Sequence, residues 1–163
     1  DDFNELSARA GISTTLDFIN YFAQISLGFR PPQINEAYRL QKKQNVTDLD
    51  SETLTMFEFG SKFELESLIG SLSFYQSKKK NSIFRDSQNF IVDNGKTDHK
   101  GVELSLSIFV NLRNTINANI TYGDHRYDFE TDTSMREKIR VDNKIDTAPK
   151  IMANLLWLSL IHI

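Results

Sequence analysis

The side chains best suited to contacting a ligand cluster in one short stretch, "GFRPPQINEAYRLQ", from Gly28 to Gln41. Arg30 and Arg39 carry guanidinium forks that bind carboxylate or phosphate oxygens two at a time. Tyr38 adds an aromatic face. Pro31 and Pro32 are two of only three prolines in the chain. Proline has no N–H and a fixed φ, so a pair of them ends a strand, and the residue before them is held extended. Beyond them Ile34, Ala37 and Tyr38 fall at helical spacing and predict a short loop helix. The blander reading is that Arg30, Tyr38 and Arg39 only knit that loop together.

Elsewhere the chemistry is thin. His99, His125 and His162 are scattered, with no two at metal-ligand spacing, so no metal or cofactor is expected. His99 reads as a residue ahead of a strand that caps loop hydrogen bonds. There are no cysteines, which removes disulfides, thiolate zinc sites and thiol nucleophiles. No Ser/His/Asp arrangement, phosphate-cradling glycine loop or carboxylate pair stands out, so the chain does not read as an enzyme. Net charge is −3, and Lys78, Lys79 and Lys80 form the only basic run. Three lysines read as a solvated edge, and no nucleic-acid partner is expected.

The elements that must carry these residues repeat with a period of two. Val102, Leu104, Leu106, Ile108, Val110 and Leu112 share one face of a strand. Glu103, Ser105, Ser107, Phe109 and Asn111 share the other. Ile116, Ala118, Ile120 and Tyr122 repeat the pattern after a tight hairpin at Arg113–Asn114. Weaker alternation surrounds Ala8, Ile25, Phe57, Phe74 and Ala153, giving about seven strands in one domain. Asp93-Asn94-Gly95 reads as a turn, with glycine supplying φ > 0.

Short connections alternate with long polar ones at 29–51, 85–98 and 125–138. No run of about 18 apolar residues exists, so no helix is expected to cross a membrane. A soluble meander has no reason to keep its long loops at one end. A transmembrane β-barrel does, with short turns on one side, long loops on the other, and alternate side chains facing lipid and lumen. The fold expected is therefore all-β, an antiparallel up-and-down transmembrane barrel segment forming an open curved sheet in isolation. Tyr21, Phe74, Tyr75, Tyr122 and Trp157 are candidates for interfacial aromatic girdles. Glu103 is expected to face the lumen. Periodicity alone leaves a soluble β-sandwich binding module open, and a plug-free outer-membrane porin shares the same strands.

An ordered series of segments adds a resemblance. "GFRPP", "LDSE…FEFG", "NGKTDHKGVEL" and "DTAPK" resemble, in order, the C-terminal barrel segments of TonB-dependent outer-membrane receptors. Phe59 stands where that pattern has leucine, and Lys150 where it has arginine. The resemblance runs over nearly the whole chain. It implies a plugged barrel of about 22 strands, of which residues 1–163 supply part, without the plug domain and the C-terminal strands. No signal peptide opens the chain, and the ending "LWLSLIHI" departs from the terminal aromatic strand of such barrels. The resemblance further implies the outer membrane of a Gram-negative cell and the TonB–ExbB–ExbD complex as partner, reached through an N-terminal region outside this chain. The remaining implied partners are outer-membrane lipid, the receptor's own plug and a small-molecule ligand such as a ferric siderophore. In that setting Arg30, Tyr38 and Arg39 lie on an extracellular loop, where an anionic, aromatic-rich ligand suits arginine and tyrosine.

Overall fold

In a computed structural model of the chain, residues 5–38, 49–85, 89–132 and 138–160 are described. Seven strands form one antiparallel sheet: β1 (Ala8–Leu16), β2 (Ile19–Arg30), β3 (Glu52–Leu65), β4 (Leu68–Arg85), β5 (Ile91–Asn111), β6 (Asn114–Tyr127) and β9 (Ile151–Ser159). Each pairs with the next along the chain. Between β6 and β9 a small hairpin of β7 (Thr131–Asp132) and β8 (Lys138–Ile139) stands apart from the sheet. A short helix, α1 (Ile34–Tyr38), follows the two prolines, as the spacing predicts.

The register lines up whole rows of like chemistry. One row crosses all seven strands through Ile12, Ala23, Phe59, Phe74, Val102, Tyr122 and Ile151. Every member is apolar or aromatic. A row on the opposite face crosses them through Thr15, Asn20, Lys62, Ser71, Ser105, Asn119 and Asn154. Every member of that row is polar. A register slip of one residue anywhere would mix the two faces, so the alternation fixes the pairing.

The apolar face lies open. Ile12 is 80% exposed, Leu155 75% and Trp157 70%. A soluble sandwich would bury that face beneath a second sheet, and the described residues place no second sheet over it. Among the described residues the buried apolar side chains are Ile83, Ile91, Val92 and Ile139, all near the ends that carry the long connections. Phe84, Tyr127 and Phe129 pack as an aromatic cluster in the same region.

Two-residue turns occupy one end of the sheet, at Asp17–Phe18, Glu66–Ser67 and Leu112–Arg113. Asp17 enters its turn with φ of 52°, which a short polar side chain tolerates. The last turn sits one residue earlier than expected. Asn111 Oδ1 accepts from Arg113 N and Asn114 Nδ2, both at 2.9 Å, and that cap closes the turn before Asn114.

The long connections leave from the other end, but their bounds differ from expectation. The first is 31–51, the second shrinks to 86–90, and the third shifts to 128–150. β5 starts at Ile91 rather than after Asp98, paired with Arg85 and Phe84 of β4. Asp93-Asn94-Gly95 is therefore no turn. It lies opposite a register irregularity between Lys79 and Phe84, where Asn81 and Asn94 take φ of 54° and 55°. No glycine among the described residues has positive φ. Asparagine tolerates the left-handed region and carries the distortion there.

Candidate functional site

The site grows from the place where β2 stops. Arg30 ends β2 on the polar face and pairs in register with Glu52, the first residue of β3. Its Nε lies 2.5 Å from Glu52 Oε2. Its other two nitrogens grip Glu36 of α1 in a fork, at 3.1 and 3.0 Å. Glu36 also reaches back to accept from Gln33 N at 2.6 Å. That is one half of a capping box, and it satisfies an N–H that the helix start leaves free. The prolines, the helix and the arginine thus form one corner rather than three separate features.

Glu52 is the hub of that corner. It is 3% exposed, yet its carboxylate is fully partnered. Besides Arg30, it accepts from Lys79 Nζ at 2.9 Å and from the amide of Ile83 at 2.8 Å. Burial alone would push its pKa up. The hydrogen bonds from Arg30, Ile83 and Lys79 outweigh that and hold it at about 2. The hydrogen bonds to Glu52 and then to Glu36 push Arg30 above its usual value. Sequence reasoning placed Lys79 in a solvated basic run and did not single out Glu52. The strand register brings them together, and that register is not visible in a window of sequence.

Of the three predicted contact residues, Arg30 is committed to Glu52 and Glu36 and is 35% exposed. Tyr38 closes α1. Arg39 lies outside the described residues. The described part of the site joins Arg30 to α1, the helix that ends at Tyr38. It shows a loop base clamped by carboxylates.

The polar face below this corner is a continuous hydrogen-bonded surface. Arg9 donates to Gln24 and Gln24 to Glu58, stitching β1, β2 and β3. Ser105 and Ser107 donate to Asn119 and Asn117 at 2.8 and 2.7 Å, stitching β5 to β6. Glu103 shares this face, as expected, and no ion pair reaches it among the described residues. Tyr75 corrects the girdle assignment. It lies on the polar face over Gly101, where an added Cβ would come within 2.5 Å of its ring. Tyr21, Phe74, Tyr122 and Trp157 do belong to the apolar face, and Trp157 Nε1 donates to Asn114 Oδ1 at 3.2 Å.

The histidines also need correcting. His99 is inside β5, not ahead of it, and pairs in register with His125 of β6. Their Nδ1 atoms lie 2.9 Å apart, and His99 Nε2 lies 2.8 Å from Thr97 Oγ1. Lys100 and Asp124 on the reverse face of the same strands place the pair beyond the apolar band. Burial, then the neighbouring His125, pushes the His99 pKa down. His162 lies outside the described residues.

Comparison with known proteins now has a geometry to meet. No curated protein matches the sequence. Among solved structures, the ferric-catecholate import receptor Fiu of E. coli K12 superimposes with a TM-score of 0.70 at 15% identity, over 93% of this chain and 22% of that one. The siderophore receptor PiuA of Acinetobacter baumannii gives 0.69 at 19% identity, over 93% and 23%. The ferric yersiniabactin uptake receptor FyuA of Yersinia pestis gives 0.66 at 16% identity, over 95% and 22%. At such identities the likeness is one of fold, and the chain spans less than a quarter of each relative. The family model described as "TonB dependent receptor-like, beta-barrel" matches residues 1–162. With a two-faced, up-and-down sheet whose long connections gather at one end, the chain belongs to the TonB-dependent receptor β-barrel family.

Proposed function

We propose that this chain forms part of the barrel wall of an outer-membrane receptor that imports a scarce small molecule by TonB-driven transport. The observation that carries the reading is the sheet itself. One uninterrupted apolar row and one uninterrupted polar row cross all seven strands on opposite faces. That suits a wall with lipid on one side and an aqueous lumen on the other. The upper edge of the apolar face steps down from Phe29 on β2, through Phe57 on β3, to Phe74 and Tyr122 on β4 and β6. The step from β2 to β4 runs as tilted strands would present an apolar band to a flat bilayer, and the edge is level from β4 to β6, where Phe74, Val102 and Tyr122 share one row.

In this reading the connections 31–51, 86–90 and 128–150 face outside and capture the ligand. Arg30 anchors the first of them through Glu36 and Glu52, while Tyr38 and Arg39 contact the ligand. A ferric siderophore is the ligand class favoured by relatives titled for ferric-catecholate import and siderophore reception. It also suits arginine and tyrosine on that loop. The wall performs no reaction. It positions loops and encloses the plug, and energy enters through TonB–ExbB–ExbD.

Radio-iron uptake from a panel of siderophores tests this in a host with and without the gene. Loss of uptake of one ferric siderophore on deletion, and its abolition by a protonophore, is the expected result. Uptake that survives collapse of the proton motive force would replace active transport with a plug-free porin.

A further inference from the structure

We infer that His99 and His125 form a two-imidazole site for a divalent transition-metal ion, copper(II) by preference, on the lumen wall above the apolar band. The two rings come from directly paired residues of β5 and β6, so the ladder fixes their separation. Their Nδ1 atoms are 2.9 Å apart, with the rings inclined at 54°. Two nitrogens at about 2.0 Å from one ion and at right angles to each other stand roughly 2.8 Å apart, whereas tetrahedral zinc would spread them to about 3.3 Å. The spacing fits adjacent corners of a tetragonal copper site and is also that of an N–H···N hydrogen bond, which the ion would replace.

The surroundings favour ligation. Thr97 Oγ1 lies 2.8 Å from His99 Nε2, and in the tautomer in which that nitrogen donates to it the lone pair is on Nδ1, facing His125. His125 lies over Gly123, where an added Cβ would meet its ring, so the missing side chain makes room for it. Lys79, the nearest cation on β4, is committed to Glu52 at 2.9 Å. Ser77 of β4 completes the row beside His99 without adding charge. Among the described residues no cluster of three or more histidine, aspartate or glutamate ligands forms, so water fills the other positions. Two protein ligands make an open, exchangeable site rather than a structural one.

The inference rests on the β5–β6 register and not on the transport reading, so either can fail without the other. The test uses the complete membrane protein purified in detergent, with copper(II) alone as the probe. Electron paramagnetic resonance at one equivalent should give a tetragonal spectrum with two-nitrogen splitting. H99Q and H125Q should each abolish that splitting and weaken copper binding at least about tenfold. A second measurement uses only the wild type. Copper(II) should shield both histidines from diethyl pyrocarbonate, read by mass spectrometry, and magnesium should not. A two-nitrogen spectrum unchanged in both variants, or equal labelling with and without copper, would reduce the pair to an ordinary hydrogen bond and overturn the inference.

Discussion

At the scale of single residues, the corner built by Arg30, Glu36, Glu52 and Lys79 makes the firmest predictions. Glu52 has a folded pKa of about 2, below its ordinary value of 4.5. A depressed carboxylate stabilises the fold above its unfolded pKa, and that contribution fades as pH falls from about 4.5 towards 2. The amount at stake is on the order of 3 kcal/mol. Hydrogen exchange at the Ile83 amide, which donates to Glu52, should therefore accelerate through that window once corrected for intrinsic rates. Glu52→Gln should reproduce the effect at neutral pH by leaving Lys79 and half of Arg30 without a counter-charge. The expected local cost is about 1–3 kcal/mol, since both cations are partly exposed and recover some hydration. An Ile83 amide as protected in Glu52→Gln as in the wild type would remove Glu52 from the role of hub. Arg39 is the complementary case. Arg39→Ala should weaken ligand binding in an equilibrium titration and leave Ile83 protection unchanged. Arg30→Ala should disturb both.

At the scale of strands, the two faces should respond oppositely to the same charge. Leu106 on β5 lies in a row with Gly70 of β4, Ala118 of β6 and Leu155 of β9 on the apolar face. Ser105, its neighbour, lies in the polar row with Asn119. Leu106→Arg should cost about 2–4 kcal/mol in lipid, while Ser105→Arg should cost far less because the lumen hydrates it. Unfolding titrations in lipid vesicles read both, and equal costs would contradict the assignment of faces. This is also the scale at which the sequence was most legible. From Val102 to Val110 every second residue is apolar, which in the barrel-wall reading proposed above reflects lipid on one face and water on the other. The signal vanishes from Ile91 to Asp98, where β5 continues beyond the band and the adjacent residues Ile91 and Val92 are both buried, so the two-residue period is lost. Asp93-Asn94-Gly95 then resembles a turn, although the strand runs straight through it with a bulge. Partners across the ladder were less legible still. His99 and His125 are 26 residues apart, and only the register places them side by side.

At the scale of the whole chain, the sheet has two free edges and almost no core. β1 pairs only with β2, and β9 only with β6, so each leaves one side of a nine-residue strand without ladder partners. Unpaired N–H and C=O groups cost several kcal/mol each in hydrocarbon, and a sheet in the bilayer avoids this by closing. In water the difficulty reverses. Leu16, Ile25, Phe57, Phe59 and Leu155 stay exposed on one continuous surface, while the buried apolar residues described are Ile83, Ile91, Val92 and Ile139. So small a cluster cannot offset the entropy of ordering seven strands, and so large a patch drives association. Residues 1–163 expressed alone should therefore neither insert nor stay monomeric. Refolded into detergent, the fragment should lack the heat-dependent gel shift of a closed barrel and should sediment as a polydisperse aggregate. A stable water-soluble monomer by sedimentation velocity would mean that the apolar face finds cover within this chain, and the barrel-wall reading would fall with it. Supplying the remaining strands of the receptor should restore the gel shift, because closure pairs both edges and turns the apolar rows to lipid in one step.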